Sequence, residues 1–219
     1  MKICWVKRVE FNNKFKMIED FMLKTQSDIV HDAEHIYRVL RLALDIASYE
    51  ENVDKDILTA ACLLHDIGRE RQITDPNISH SEAGSEMAVE WLTNNGFTQN
   101  FAKHVGDCII AHSFRGRLSG SSAHSIEAKI LYDADKLDAA GAVGIARTLA
   151  YRGLVNEPLY IKDENGRVSH DIGPSFLYEY KFKLSKIYDN FYTKRAEELA
   201  QTRKKAAEDF IAAFCDEII

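Results

Sequence analysis

Proline is scarce, with three in 219 residues, at positions 76, 158 and 174. Proline interrupts helices, so its rarity leaves long stretches free to be helical. Cysteine is also sparse. Cys4, Cys62, Cys108 and Cys215 are scattered and form no C-x-x-C pair. This excludes a thiolate zinc ribbon and a disulfide framework, and it fits a reducing, cytoplasmic compartment. Cys62 and Cys108 lie in apolar stretches and are expected to be buried thiols. There is no basic block, and the formal net charge is -6. Nucleic acid is therefore not an expected partner. No apolar run approaches the roughly 20 residues of a membrane span, so no membrane association is expected. The start, Met1 to Arg8, is broken by charge and does not read as a secretory signal.

What is present is a hydrophobic content of 46%, enough for a sizeable core in one domain over residues 1–219. Apolar residues recur mostly at helical spacing. They predict helices at about 8–25, 33–50, 54–66, 80–95, 98–112, 125–138, 141–153, 174–190 and from about 193 onward. Asp54 and Ser79 read as N-caps and Gly96 as a C-terminal stop. Only residues 158–171 look extended, with Asn165-Gly166 between short alternating runs, a hairpin signal. That hairpin is either a lid across a pocket or a plain surface feature. The C-terminal helices, 174–219, are amphipathic and expected to pack on the core or against a second copy in a homodimer.

The pair His65-Asp66 ends the apolar run Ile57 to Leu64 and is followed by Ile67-Gly68-Arg69. An imidazole and a carboxylate at the end of a buried helix are costly to desolvate unless something pairs with them. A divalent metal ion does so. Other suitable donors lie far off: His31 and His35, one helical turn apart, and Asp133, Asp135 and Asp138. One His, the His-Asp pair and a distant Asp make a nitrogen and oxygen donor set without thiolate. That set suits Mn²⁺, Fe²⁺, Co²⁺, Ni²⁺ or Mg²⁺ at an open site better than a closed structural zinc.

The order H…HD…D resembles the HD-domain metal-dependent phosphohydrolase superfamily, in particular its small single-domain bacterial members. The segments HDAEHIYRV, AACLLHDIGRE, IIAHSFRG and ILYDADKLDAAGAVGIART carry the resemblance, over roughly residues 28 to 153. It implies an all-α HD-domain bundle. It also selects the metal ligands His35, His65, Asp66 and Asp135, because the family's first ligand precedes an x-x-R-V run and its last precedes Lys-Leu. Histidines at places comparable to His80 and His112 hold a second metal or contact phosphate in phosphodiesterase-like branches. Both are therefore expected to face the pocket as catalytic groups beside Asp66.

The reaction expected is hydrolysis of a phosphate ester or anhydride, with open metal positions polarising the phosphoryl group. Cations are needed for the anionic transition state, and Arg38, Arg69, Lys136 and Arg147 are placed to supply them. Arg115 and Arg117 read as surface cations. Asp138, one turn after Asp135, is expected to orient a ligand or bind substrate, and Glu34 and Glu70 are candidate general bases. The nucleotidase branch has a carboxylate three residues after the HD aspartate, where this chain has Arg69. The preferred reading is a nucleoside triphosphate cleaved to monophosphate and pyrophosphate. A phosphodiesterase or phosphomonoesterase acting on another nucleotide is the alternative, and a sensor that binds metal and nucleotide without turnover is a second. His104, His124 and His170 are assigned no role.

Overall fold

The computed structural model describes residues 12–25, 33–113 and 123–218. In chain order come α1 (Asn13–Thr25), α2 (Ala33–Ala47), α3 (Lys55–Leu64), α4 (Arg69–Thr74), α5 (His80–Asn94), α6 (Gln99–Ala111), α7 (Ile126–Asp138) and α8 (Gly141–Leu154). An antiparallel hairpin follows, β1 (Ile161–Lys162) and β2 (Val168–Ser169), paired with Ile161 opposite Ser169. Then come α9 (Phe176–Phe182), a 3-10 turn (Leu184–Lys186) and α10 (Lys194–Glu217). Among the described residues the fold is all-α with one minor hairpin.

The centre is α3. Ile57, Leu58 and Ala60 through Leu64 are all buried, so the helix is apolar all round rather than along one stripe. It packs against α1, α2, α6 and α7. Burial of a Leu or Ile side chain contributes roughly 1.5–3 kcal/mol, which explains why an uninterrupted apolar run marks this helix. Its start is fixed by Asp54, whose Oδ1 accepts from the backbone N–H of Asp56 and Ile57. Ser79 caps α5 in the same manner, and Gly96, at φ +84°, follows the last turn of that helix. Such caps are worth about 1 kcal/mol each.

Several boundaries differ from expectation. The helix expected to include residues 65 and 66 ends at Leu64 with His65 as its C-cap, and the unforeseen α4 follows. α2 stops at Ala47. The helix expected over 174–190 breaks at Lys183, because the chain beyond it turns to meet α7 and α8. The Tyr188 hydroxyl accepts from the Gly141 N–H, and the Tyr192 and Thr193 N–H groups donate to Asp133. These tertiary bonds override a periodicity that reads as one helix. The hairpin is tied down by backbone bonds from Phe176 to Pro158 and from Leu177 to Leu159. Finally, α10 lies on α7 and α8 along a seam of fully buried alanines, Ala196, Ala200 and Ala207. Cys62 and Cys108 are free, buried thiols.

Candidate metal centre

Two helices and one helix end deliver the polar groups. His35 comes from the first turn of α2, His65 and Asp66 from the end of α3, and Asp135 from α7. The His35 Nε2 lies 3.3 Å from Asp135 Oδ1, 3.4 Å from His65 Nε2 and 3.6 Å from Asp66 Oδ2. The His65 Nε2 lies 3.7 Å from Asp66 Oδ2 and 3.8 Å from Asp135 Oδ1. Ligands bound at about 2.0–2.2 Å to one ion are roughly 3–4 Å from each other, so the four groups can share one. His35, His65 and Asp66 are almost wholly buried, and Asp66 Oδ2 has no hydrogen-bond partner among the described residues. An orphaned carboxylate oxygen facing two imidazole nitrogens fits a divalent cation.

A second set meets the other oxygen of the same carboxylate. His112 Nε2 lies 3.7 Å and His80 Nε2 3.9 Å from Asp66 Oδ1, and both nitrogens are buried without a hydrogen-bond partner among the described residues. His80 opens α5 and His112 is the C-cap of α6. A serine contact joins those two ends, with Ser81 Oγ 3.0 Å from Ser113 Oγ. Asp66 therefore stands between two groups of donors, His35 with His65 and His80 with His112.

The local fold makes this approach possible at Gly68. A Cβ there would lie 2.2 Å from the His80 carbonyl oxygen and 2.5 Å from the Gly84 nitrogen. Its backbone is right-handed, at φ -84°. The glycine is thus required by closeness to α5 and not, as its position after a helix suggests, by a left-handed stop.

The imidazoles are oriented by groups behind them. Nδ1 of His65 donates to the Cys62 carbonyl at 2.8 Å, and Nδ1 of His112 to the Ile109 carbonyl at 2.5 Å. Nδ1 of His35 lies 2.8 Å from Asp138 Oδ2. Each arrangement turns Nε2 toward the cluster, as metal-binding histidines require. Burial opposes charge on His35, but Asp135, Asp138 and Asp66 outweigh it and hold the imidazole up at about 10. Burial pushes His65 down to about 4 and His80 down to about 3. Burial also opposes charge on Asp66, yet His65, Arg69, His112 and His35 together hold this carboxyl well below the usual range.

The sequence-predicted cations divide. Arg69 Nε donates to Asp66 Oδ1 at 2.9 Å, Arg38 Nε to Asp138 Oδ1 at 2.7 Å and Arg147 to Asp138 Oδ2 at 2.6 Å. Lys136 is not brought to the cluster. Its ammonium lies on the carbonyls of Asp189 and Asn190 and over the Phe191 ring, because adjacent residues on α7 point about 100° apart. Glu34 and Glu70 are exposed, and neither is among the groups gathered at Asp66. His31, Arg115 and Arg117 lie outside the described residues.

The three aspartates of α7 have three partners. Asp135 faces the cluster, and Asp138 holds His35. Asp133 accepts from the Tyr192 and Thr193 N–H groups and the Thr193 hydroxyl, fixing the start of α10. Beside the cluster opens a cleft of about 540 Å³, lined by Arg69 of α4, by Arg147, Thr148, Tyr151 and Arg152 of α8, and by Lys183. The helical repeat of the α8 residues, 147, 148, 151 and 152, is the sequence signal for this wall, and of these Arg147 alone is a sequence-predicted site residue. Hairpin residues 161–169 do not line it.

Comparison with known proteins places the chain in a family. The HD domain model matches residues 32–140. The uncharacterized protein YpgQ of Bacillus subtilis is 33% identical over 183 residues, 83% of this chain and 81% of YpgQ. Its crystal structure in complex with ADP superposes with a TM-score of 0.72 at 29% identity, over 93% of this chain and 97% of that one. An HD-superfamily hydrolase from Bacillus thuringiensis gives a TM-score of 0.68 at 32% identity, over 93% and 96% of the two chains. With its histidines and aspartates gathered as a divalent metal requires, this chain belongs to the HD-domain family and is a metal-dependent phosphohydrolase.

Proposed function

We propose that the protein is a single-domain hydrolase that cleaves a nucleoside triphosphate to the monophosphate and pyrophosphate. One observation carries the reading: the Asp66 carboxylate, with imidazoles facing each of its oxygens, adjoins a cleft lined by Arg69 and Arg147. The ADP bound by the related YpgQ supports a nucleotide in such a cleft.

His35, His65, Asp66 and Asp135 would hold a divalent ion, with His80 and His112 completing a second position against Asp66. The nitrogen and oxygen donors suit Mn²⁺, Fe²⁺, Co²⁺, Ni²⁺ or Mg²⁺. Such an ion, when bound, polarises a phosphoryl oxygen and makes water a better nucleophile at neutral pH. The chain's own groups do the rest. Asp138 keeps the His35 lone pair on Nε2. Arg69 fixes the Asp66 carboxylate while presenting its guanidinium to the cleft. Arg147 stands between Asp138 and the cleft, where negative charge develops on the transferred phosphoryl oxygens. Tyr151, 46% exposed on the cleft wall, offers a flat face for a base. The unpaired, buried thiols agree with a cytoplasmic setting.

The test is a release screen. Metal-stripped protein is resupplied with Mn²⁺, Co²⁺, Ni²⁺ or Mg²⁺ and offered nucleoside mono-, di- and triphosphates, cyclic nucleotides and an aryl phosphate. Pyrophosphate from triphosphates is the expected product. Turnover only of monoesters or cyclic diesters would move the assignment to those classes. Nucleotide binding without any turnover would make the protein a sensor.

A further inference from the structure

A second cavity, of about 300 Å³, lies where α2, α8 and α10 meet. It shares no lining residue with the cleft. The two approach each other at Asp138, which Arg147 reaches from the cleft and Arg38 from this second cavity.

Its wall carries three guanidiniums, Arg38, Arg41 and Arg203, and two carboxylates, Asp45 and Asp138. Both carboxylates are already matched. Asp45 Oδ2 accepts from Arg195 Nε at 2.9 Å, and Asp138 accepts from Arg38, Arg147 and His35. Three arginines thus line the cavity with two aspartates, and Asp45 is matched by Arg195, which lies outside the lining and also meets Glu198 at 3.5 Å. Arg203 spends one N–H on the Leu137 carbonyl, which is neutral. Arg41 is half-buried and makes no hydrogen bond or ion pair among the described residues. A partly buried guanidinium without an anion is an unfavourable arrangement on its own. Leu42, Leu199 and Val143 complete the wall, Val143 from the first turn of α8, whose N-cap residue, Ala140, makes no side-chain cap. Its positive end adds to the field of the arginines. Guanidinium forks match the planar spread of phosphate oxygens and bind them through paired N–H donors. A volume near 300 Å³ is at the small end for ligand pockets, which suits a phosphate or diphosphate group.

We propose that this cavity is a second anion site, separate from the metal centre, that takes a phosphate group on Arg41 and Arg203. The group is either a free inorganic oxyanion or one end of a small phosphorylated metabolite. Arg38 is shared between this anion and Asp138, so occupancy is felt one hydrogen bond away at His35.

Equilibrium dialysis of the metal-loaded full chain tests this, with radiolabelled inorganic phosphate and, separately, labelled ADP. The wild type should bind two equivalents of at least one probe. Arg41→Ala should lose one of them, weakened at least tenfold, and Arg41→Lys should recover part of it. His65→Ala should lose the other equivalent and keep the one that depends on Arg41. Arg203→Gln gives an independent second variant, and the circular dichroism of both must match wild type. A second equivalent of phosphate identifies a free oxyanion site, and a second equivalent of ADP alone identifies an organic phosphate. One equivalent of each probe in the wild type would overturn the proposal. So would two equivalents that neither Arg41→Ala nor Arg203→Gln weakens.

Discussion

His35 Nδ1 donates to Asp138 Oδ2 at 2.8 Å, across 103 residues of sequence. The bond leaves the imidazole one direction in which to offer a lone pair. Replacing such a carboxylate typically costs 10–100-fold in metal affinity. Asp138→Asn keeps an acceptor but removes the charge, and about a tenfold loss is expected, measured by competition with a chromophoric chelator. Asp138→Ala should lie nearer a hundredfold. Unchanged affinity in both variants would mean that His35 is not a ligand.

Asp66 is the group on which both sets of imidazoles converge. Asp66→Ala should reduce turnover by at least about a thousandfold, since the carboxylate cannot be replaced by any neighbour. The melting temperature of the metal-free variant should fall moderately, because Arg69 and the imidazoles around Asp66 lose their buried partner. Retained activity would sink the catalytic assignment.

Metal content separates the two sets. Elemental analysis after reloading should give two ions per chain for wild type and one for His112→Ala, with His35→Ala also reduced. A wild-type value of one would assign His80 and His112 to phosphate contact instead.

Gly68→Ala tests the close approach of α5. The added methyl group meets backbone, not a flexible side chain, so the segments must separate. A destabilisation of about 1–3 kcal/mol is expected, read as a lowered denaturant midpoint. Activity should fall further than stability explains, because His80 retreats with α5. A variant as stable and active as wild type would show that the backbone yields there without cost.

Asp133→Ala serves as the contrasting aspartate. It removes a charged acceptor from two N–H groups and a hydroxyl at the start of α10. Hydrogen bonds to charged groups contribute roughly 1.5–3 kcal/mol, so a clear loss of stability is expected with metal affinity unchanged. Weakened metal binding without loss of stability would reverse the roles given to Asp133 and Asp135.

The sequence made some of this legible and hid the rest for physical reasons. His65 and Asp66 stand out because charge at the end of an all-apolar helix needs an explanation from within the same ten residues. Asp135 and Asp138 are readable as one face, since three residues bring a helix nearly full circle. Lys136 adjoins Asp135 in sequence, yet helical phase sends its side chain toward Asp189 and Asn190. The cap that Asp133 provides, and the contact that demands Gly68, depend on partners 59 residues and a helix away. No local pattern records them. The break at Lys183 was hidden for the same reason, since its cause lies on α7 and α8.

The contrast between α3 and α4 has a consequence for exchange of backbone amide protons. α3 is enclosed on all sides, while α4, beginning five residues after α3 ends, buries no side chain at all. Amides of the first should exchange only when the whole molecule opens, and those of the second through local fraying. His65 and Asp66 sit on the seam between these two regimes. Through its 2.9 Å bond to Asp66, Arg69 ties the fraying helix to that seam, so the exchange rates of the α4 amides report on the surroundings of the metal centre.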